Sequence, residues 1–80
     1  MNKERRQQLY DATSLLDDAI AIIQDVHAEE EEAFDNLNDG LQCSKTGDSM
    51  QTALEKLEGF ENRIESIKVE IEGYAGGKKK

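Results

Sequence analysis

Hydrophobic residues recur at seven-residue intervals through both halves of the chain. In the second half they follow one another in alternating steps of three and four without a break, which is typical of a helix that buries one stripe. The two core positions there hold Met50, Leu57, Ile64 and Ile71, and Ala53, Phe60, Ile67 and Tyr74. The first half repeats the pattern with Leu9, Leu16, Ile23 and Leu37, and with Ala12, Ala19, Val26 and Ala33. The pattern predicts two long helices and no strand.

A short polar segment separates the two periodic regions. Asn38, Asp39 and Gly40 are typical of a helix end followed by a turn, and Ser44 or Asp48 can cap the next helix. We therefore expect one domain, with helix 1 at about 4–37, a turn at about 38–47, helix 2 at about 48–74 and a basic tail at 75–80.

The short connection favours antiparallel packing of the two helices. The expected fold is all-α: an antiparallel two-helix hairpin, like a coiled coil folded back on itself. Folding back at the turn predicts the facing pairs Phe34 and Ala53, His27 and Phe60, Ile23 and Ile64, Ile20 and Ile67, and Leu16 and Ile71.

Some apolar positions lie beside the predicted contact. Leu15 and Ile22 extend the stripe of helix 1 past it, and a core built by 80 residues alone supplies only roughly 3 to 5 kcal/mol. We therefore expect dimerisation into a four-helix bundle. Small residues at seven-residue spacing on helix 2, Gly59, Ser66 and Gly73, permit close approach of another helix. They are equally compatible with an exposed face that is indifferent to residue size.

Charge adds a second pattern. The net charge is −8, and between residues 7 and 77 there are 17 acidic residues and only four basic ones. This balance argues against direct binding of nucleic acid or anionic membranes. Acidic residues recur at every seventh position, in Asp11, Asp18, Asp25 and Glu32 on helix 1 and in Glu58, Glu65 and Glu72 on helix 2. These stripes indicate either ordinary solubility or imitation of the charge on a nucleic acid.

Candidate chemistry is sparse. The chain has one histidine and one cysteine, and it lacks the motifs of a catalytic triad or a phosphate-binding loop. His27 with Glu30 and Glu31 is the only grouping with metal-ligand spacing, and it lacks a second histidine. Cys43 falls in the predicted turn, with no sign of a reactive role. We expect no catalytic residue, metal or cofactor.

The composition also indicates where the protein works. No apolar run approaches the roughly 20 residues that span a bilayer, and the first eight residues are polar, unlike a signal peptide. A single cysteine is compatible with a reducing compartment. We expect a cytoplasmic protein.

The turn region resembles that of small acidic helical-hairpin proteins of phages and prophages. The resemblance rests on Phe34-Asp35-Asn36-Leu37, on Gly40-Leu41-Gln42, and on Ser44, Gly47, Met50 and Ala53. Asn38 stands where the family often has a proline. The resemblance covers about residues 25–70 and implies a helical hairpin encoded by a mobile element in a bacterial host, without an assigned activity.

Two functions follow as hypotheses. The first is a non-enzymatic protein–protein interaction module that forms a homodimer or a higher oligomer and docks on a host or phage protein, with Leu15, Ile22, Gly59, Ser66 and Gly73 in self-association. The second is an acidic inhibitor that mimics nucleic acid and binds a basic DNA- or RNA-binding protein through the two acidic stripes.

Overall fold

The structure, a computed structural model, describes residues 1–76. It contains three helices, α1 (Lys3–Asp35), α2 (Asp39–Gln42) and α3 (Lys45–Ala75). No strand occurs among the described residues, so the fold is all-α. The basic tail was predicted at 75–80, but Ala75 still belongs to α3. Residues 77–80 of the predicted tail lie outside the described residues.

Side-chain caps explain where α1 and α2 begin. The Asn2 side chain accepts a hydrogen bond from the Arg5 backbone N–H at 2.8 Å, at the start of α1. The Asn38 side chain accepts one from the Leu41 backbone N–H at 2.9 Å. Asn38 thus begins a new helix, α2, inside the segment predicted as a turn. Ser44 is the N-cap of α3, which therefore starts three residues before the predicted position.

The two long helices pack against each other along an extended body that measures 58 × 21 × 13 Å between Cα atoms. His27 of α1 bonds Glu61 of α3. Asp17, which lies earlier on α1, bonds Lys68, which lies later on α3. The two helices therefore run in opposite directions.

The contact between α1 and α3, here called the seam, follows heptads on both helices. On α1 buried and half-buried residues step by three and four through Leu9, Thr13, Leu16, Ile20, Ile23, His27, Glu30 and Phe34, with Ala12 and Ala19 half-buried beside them, and Leu37 continues the series just after the helix. On α3 the corresponding series is Gly47, Met50, Leu54, Leu57, Glu61, Ile64, Lys68, Ile71 and Ala75. The predicted core positions Met50, Leu57, Ile64 and Ile71 lie in this seam.

At the other predicted core position of α3, Ala53 is half-buried, but the prediction was wrong for the remaining three residues. Phe60, Ile67 and Tyr74 are 40%, 50% and 72% exposed, and their neighbours Glu61, Lys68 and Ala75 lie in the seam instead. On α1, Val26 and Ala33 are likewise exposed, whereas Thr13 and Ile20 are buried. Each helix is thus rotated so that one predicted core position stays in the seam and the other is replaced by the neighbouring residue, and the seam includes polar and charged residues with partners across it.

Gly47 explains part of this rotation. It is buried under α2, and a Cβ built there would collide with the carbonyl group of Gln42 and lie 2.7 Å from the carbonyl oxygen of Leu41. The side chain of Gln42 in turn donates hydrogen bonds to the carbonyl oxygens of Phe34 and Leu37. The connection therefore holds Gly47 against α2 and fixes which side of α3 faces α1.

Candidate interaction surface

Several large apolar side chains remain exposed along both long helices. On α1 they include Leu15 at 68%, Ile22 at 63% and Val26 at 45% exposed. On α3 they include the three residues predicted to be core, Phe60, Ile67 and Tyr74. We call these six residues the apolar face.

The six residues belong to one side of the helix pair. On α3, each of the three residues Phe60, Ile67 and Tyr74 comes one position before a seam residue. The same is true of Leu15, Ile22 and Val26 on α1. Successive residues of a helix are about 100° apart, so all six side chains are turned away from the seam in the same rotational sense. Because the helices are antiparallel, equal rotations on the two helices lead to the same side of the pair. These six exposed apolar residues of α1 and α3 therefore lie on the same side of the helix pair.

A groove between the helices marks part of this surface. It is lined by Val26 and Glu30 from α1 and by Ala53, Leu57 and Phe60 from α3. Residues of both helices line the groove, as expected if Val26 and Phe60 lie on the same side of the pair. Arg63 lies over the ring of Phe60, with its guanidinium carbon 5.4 Å from the ring centroid.

The opposite side of the pair carries a smaller apolar group. Val69 follows the seam residue Lys68 and Tyr10 follows Leu9, so both are turned in the other sense. They line one shallow depression together with Glu72, Gly73 and Gly76. Val69 is 56% exposed, close to the exposure of Ile22 and Ile67.

Two charged contacts cross the seam. His27 Nδ1 and Glu61 Oε2 are 2.9 Å apart, with both side chains largely covered. Lys68 Nζ donates a hydrogen bond to Asp17 Oδ1 at 2.8 Å and lies 3.7 Å from Glu65 Oε2. This hydrogen bond raises the pKa of Lys68 above its ordinary value; burial opposes it, and the negative charges of Asp17, Glu65 and Glu72 add to the increase. Sequence reasoning placed His27 opposite Phe60, and the residue that it contacts is the next one, Glu61.

The predicted self-association residues do not share one surface. Leu15 and Ile22 lie on the apolar face. Gly59, Ser66 and Gly73 lie on the side of α3 directed away from α1, about 180° from the seam. A Cβ added to Gly59 or Gly73 would meet no atom within 4 Å. A helix seated on the apolar face would therefore not contact this stripe of small residues.

The two predicted acidic stripes also lie on different sides. Asp11, Asp18, Asp25 and Glu32 are exposed along the outer side of α1, opposite α3. Glu58, Glu65 and Glu72 are exposed on α3, on the side that carries Val69. The charge forms two separate lines, of which the α1 line is the more uniform because Glu65 lies beside Lys68.

The other candidate groups have simple surroundings. His27 contacts Glu61 across the seam, and the described residues contain no group of three or more side chains arranged to hold a metal ion. Cys43 is a free, exposed thiol at the end of α2. No described helix has a stretch long and apolar enough to cross a bilayer.

Comparison with protein-family models, with curated proteins and with solved structures gave no match to this chain.

Proposed function

We propose that this protein is a non-enzymatic interaction module: a helical hairpin that self-associates through its apolar face to form a four-helix bundle. One observation supports this most strongly. The helix pair covers Glu61 and Lys68 in its seam and leaves Phe60, Ile67 and Tyr74 in water. Fully burying one such apolar side chain contributes roughly 1.5 to 3 kcal/mol, so covering the 40% to 72% of these side chains that is still exposed would stabilise association with another chain by part of that amount per residue.

A second copy of the chain is the occupant that fits this face. The six residues occupy the part of the helix pair where residues 60–74 lie level with residues 15–26, about 21 Å along a body 58 Å long, and an identical body presents the same apolar side. One whole side of the body measures on the order of 1,000 Å², compared with about 800 Å² per partner in a standard stable interface, so the apolar face would form the centre of an interface with a polar surround. The interface would be isologous, since both copies use the same residues.

The proposed role is binding because the polar side chains are engaged in structure or spread over the surface. His27 joins the two helices through Glu61, and Lys68 does so through Asp17. We propose that the dimer docks on a host or phage protein in the bacterial cytoplasm, in keeping with the resemblance to phage proteins. The outer acidic sides of the dimer would remain available for that partner.

A nucleic-acid mimic is the alternative function, and the exposed line of Asp11, Asp18, Asp25 and Glu32 favours it. These four carboxylates repeat about every 10 Å along the outer side of α1, clear of the apolar face. A basic protein held by them would dissociate steeply as salt is raised, whereas an apolar interface would not.

Sedimentation equilibrium tests the proposed function. At tens of micromolar in moderate salt we expect twice the chain mass of 9.0 kDa. Replacing Ile22 and Ile67 together by lysine should give the monomer mass while leaving the helical circular dichroism unchanged. Val69→Lys is the matched control, because Val69 is similarly exposed on the opposite side, and it should remain dimeric. A monomeric unmodified protein, or a dimer that survives the double substitution, would refute the proposal.

A further inference from the structure

The apolar face is bordered by two edges of opposite charge. Along its outer margin on α3 lie Lys56 and Arg63, which are two of the four basic residues between residues 7 and 77. Glu70 is the acidic residue on the same edge. The outer margin on α1 carries Glu29, and the acidic line of Asp11, Asp18, Asp25 and Glu32 lies one step farther from the apolar face. All these side chains are exposed. We call these margins the α3 edge and the α1 edge.

Two copies can bring their apolar faces together around a two-fold axis in two ways. An axis parallel to the helices places α3 of one copy over α1 of its partner. An axis across the helices, within the interface, places α1 over α1 and α3 over α3. Both give a bundle in which neighbouring helices are antiparallel, so packing direction does not distinguish them. The charges on the edges do.

On the proposed function that the apolar face self-associates, we infer that the two-fold axis runs parallel to the helices. Each basic α3 edge then lies beside the acidic α1 edge of the other copy, on both sides of the bundle. The other arrangement would put basic beside basic and acidic beside acidic. Like charges facing each other across an interface oppose association, whereas opposite charges assist it.

The axial positions agree with this arrangement. The contact between His27 and Glu61 sets residue 27 level with residue 61, which places Glu29 level with residue 59. An axis parallel to the helices keeps these levels the same in both copies. Glu29 of one copy then lies between Lys56 and Arg63 of the other, about 5 to 6 Å along the axis from each. Long basic side chains span that distance.

Charge reversal tests the arrangement. Lys56→Glu with Arg63→Glu should weaken the dimer about tenfold, because two cations are lost from each of two symmetric contacts. Adding Glu29→Lys to the same chain should restore most of the affinity, because the reversed edges again face opposite charges. Lys3→Glu with Arg6→Glu changes the net charge equally, away from the α3 edge, and should change the dissociation constant less than threefold.

The outcomes separate this inference from the proposed function. A monomeric unmodified protein would refute the self-association itself. A dimer whose dissociation constant is the same for the unmodified chain and for Lys56→Glu with Arg63→Glu would keep the proposed function and overturn the axis assignment. A triple variant no tighter than the double variant would overturn it as well. A weakened double variant that Glu29→Lys restores supports it.

Discussion

Two neighbouring stripes of α3 differ in the type of residue that they contain and in how far those residues are buried. The seam stripe includes Glu61 and Lys68, whose side chains are each only 17% exposed. The stripe one residue away holds Phe60, Ile67 and Tyr74, which are 40% to 72% exposed. The helix pair therefore covers charged side chains and exposes aromatic and aliphatic ones.

The two kinds of residue also differ in how much their contacts contribute to stability. The ion pair of Lys68 with Asp17, whose side chain is 55% exposed, contributes roughly 0 to 1 kcal/mol, and burying a large apolar side chain contributes roughly 1.5 to 3 kcal/mol. An isolated helix pair would gain by turning α3 until Phe60 and Ile67 faced α1. The observed rotation makes energetic sense when another molecule covers the outer stripe, as the proposed dimer does.

The close contact of Gly47 with α2 holds α3 in its observed rotation. A substitution at this contact should have the largest effect on stability. Gly47→Ala should lower the free energy of unfolding by about 3 kcal/mol, because the added Cβ meets the backbone of α2 at Gln42 and Leu41. Urea denaturation followed by circular dichroism measures the change.

Gly59→Ala and Gly73→Ala are the matched controls. Both sites are open, so alanine should stabilise the helix by up to roughly 1 kcal/mol through its higher helix propensity. If Gly47→Ala behaved like these two variants, the close approach of α2 would not determine the rotation of α3. Weaker self-association of either control would place the stripe of small residues in an interface.

Substitutions at the contact between His27 and Glu61 should lower the stability less than Gly47→Ala does. Glu61→Ala removes the partner of His27 and should cost about 1 kcal/mol at neutral pH, whereas His27→Leu with Glu61→Leu should be close to neutral. A double-mutant cycle by urea unfolding measures the coupling between the two residues. Costs that simply add would mean that the pair contributes no specific interaction to the seam.

The same contrast shows how far sequence reasoning reached. The positions shared by both possible orientations, such as Leu16 and Ile23 on α1 and Leu57 and Ile64 on α3, were identified because heptad spacing marks them in either case. The second core position was assigned to Phe60 and Ile67 because they are the most hydrophobic choice. The partners of Glu61 and Lys68 lie on the other helix, 34 and 51 residues away, so no local pattern reveals them.

The turn and the candidate surface were predicted unevenly for similar reasons. Asn38 was interpreted as a helix end, although asparagine is equally favourable as an N-cap, and here it begins α2. Leu15 and Ile22 were recognised as surplus apolar residues beside the contact. The α3 half of the apolar face was missed because its residues had been assigned to the core. Gly47 gave a signal in retrospect, as a glycine early in a helix that is otherwise rich in good helix formers.

The most direct test compares methyl groups on the two sides of the same molecule. Ile22, Ile67 and Val69 have similar exposure in the single chain, at 63%, 50% and 56%. A soluble paramagnetic agent should broaden their methyl NMR signals equally in dilute solution. At millimolar protein, the account predicts that Ile22 and Ile67 become shielded while Val69 stays accessible. Equal broadening of all three residues at every concentration would contradict the claim that the apolar face binds a second copy.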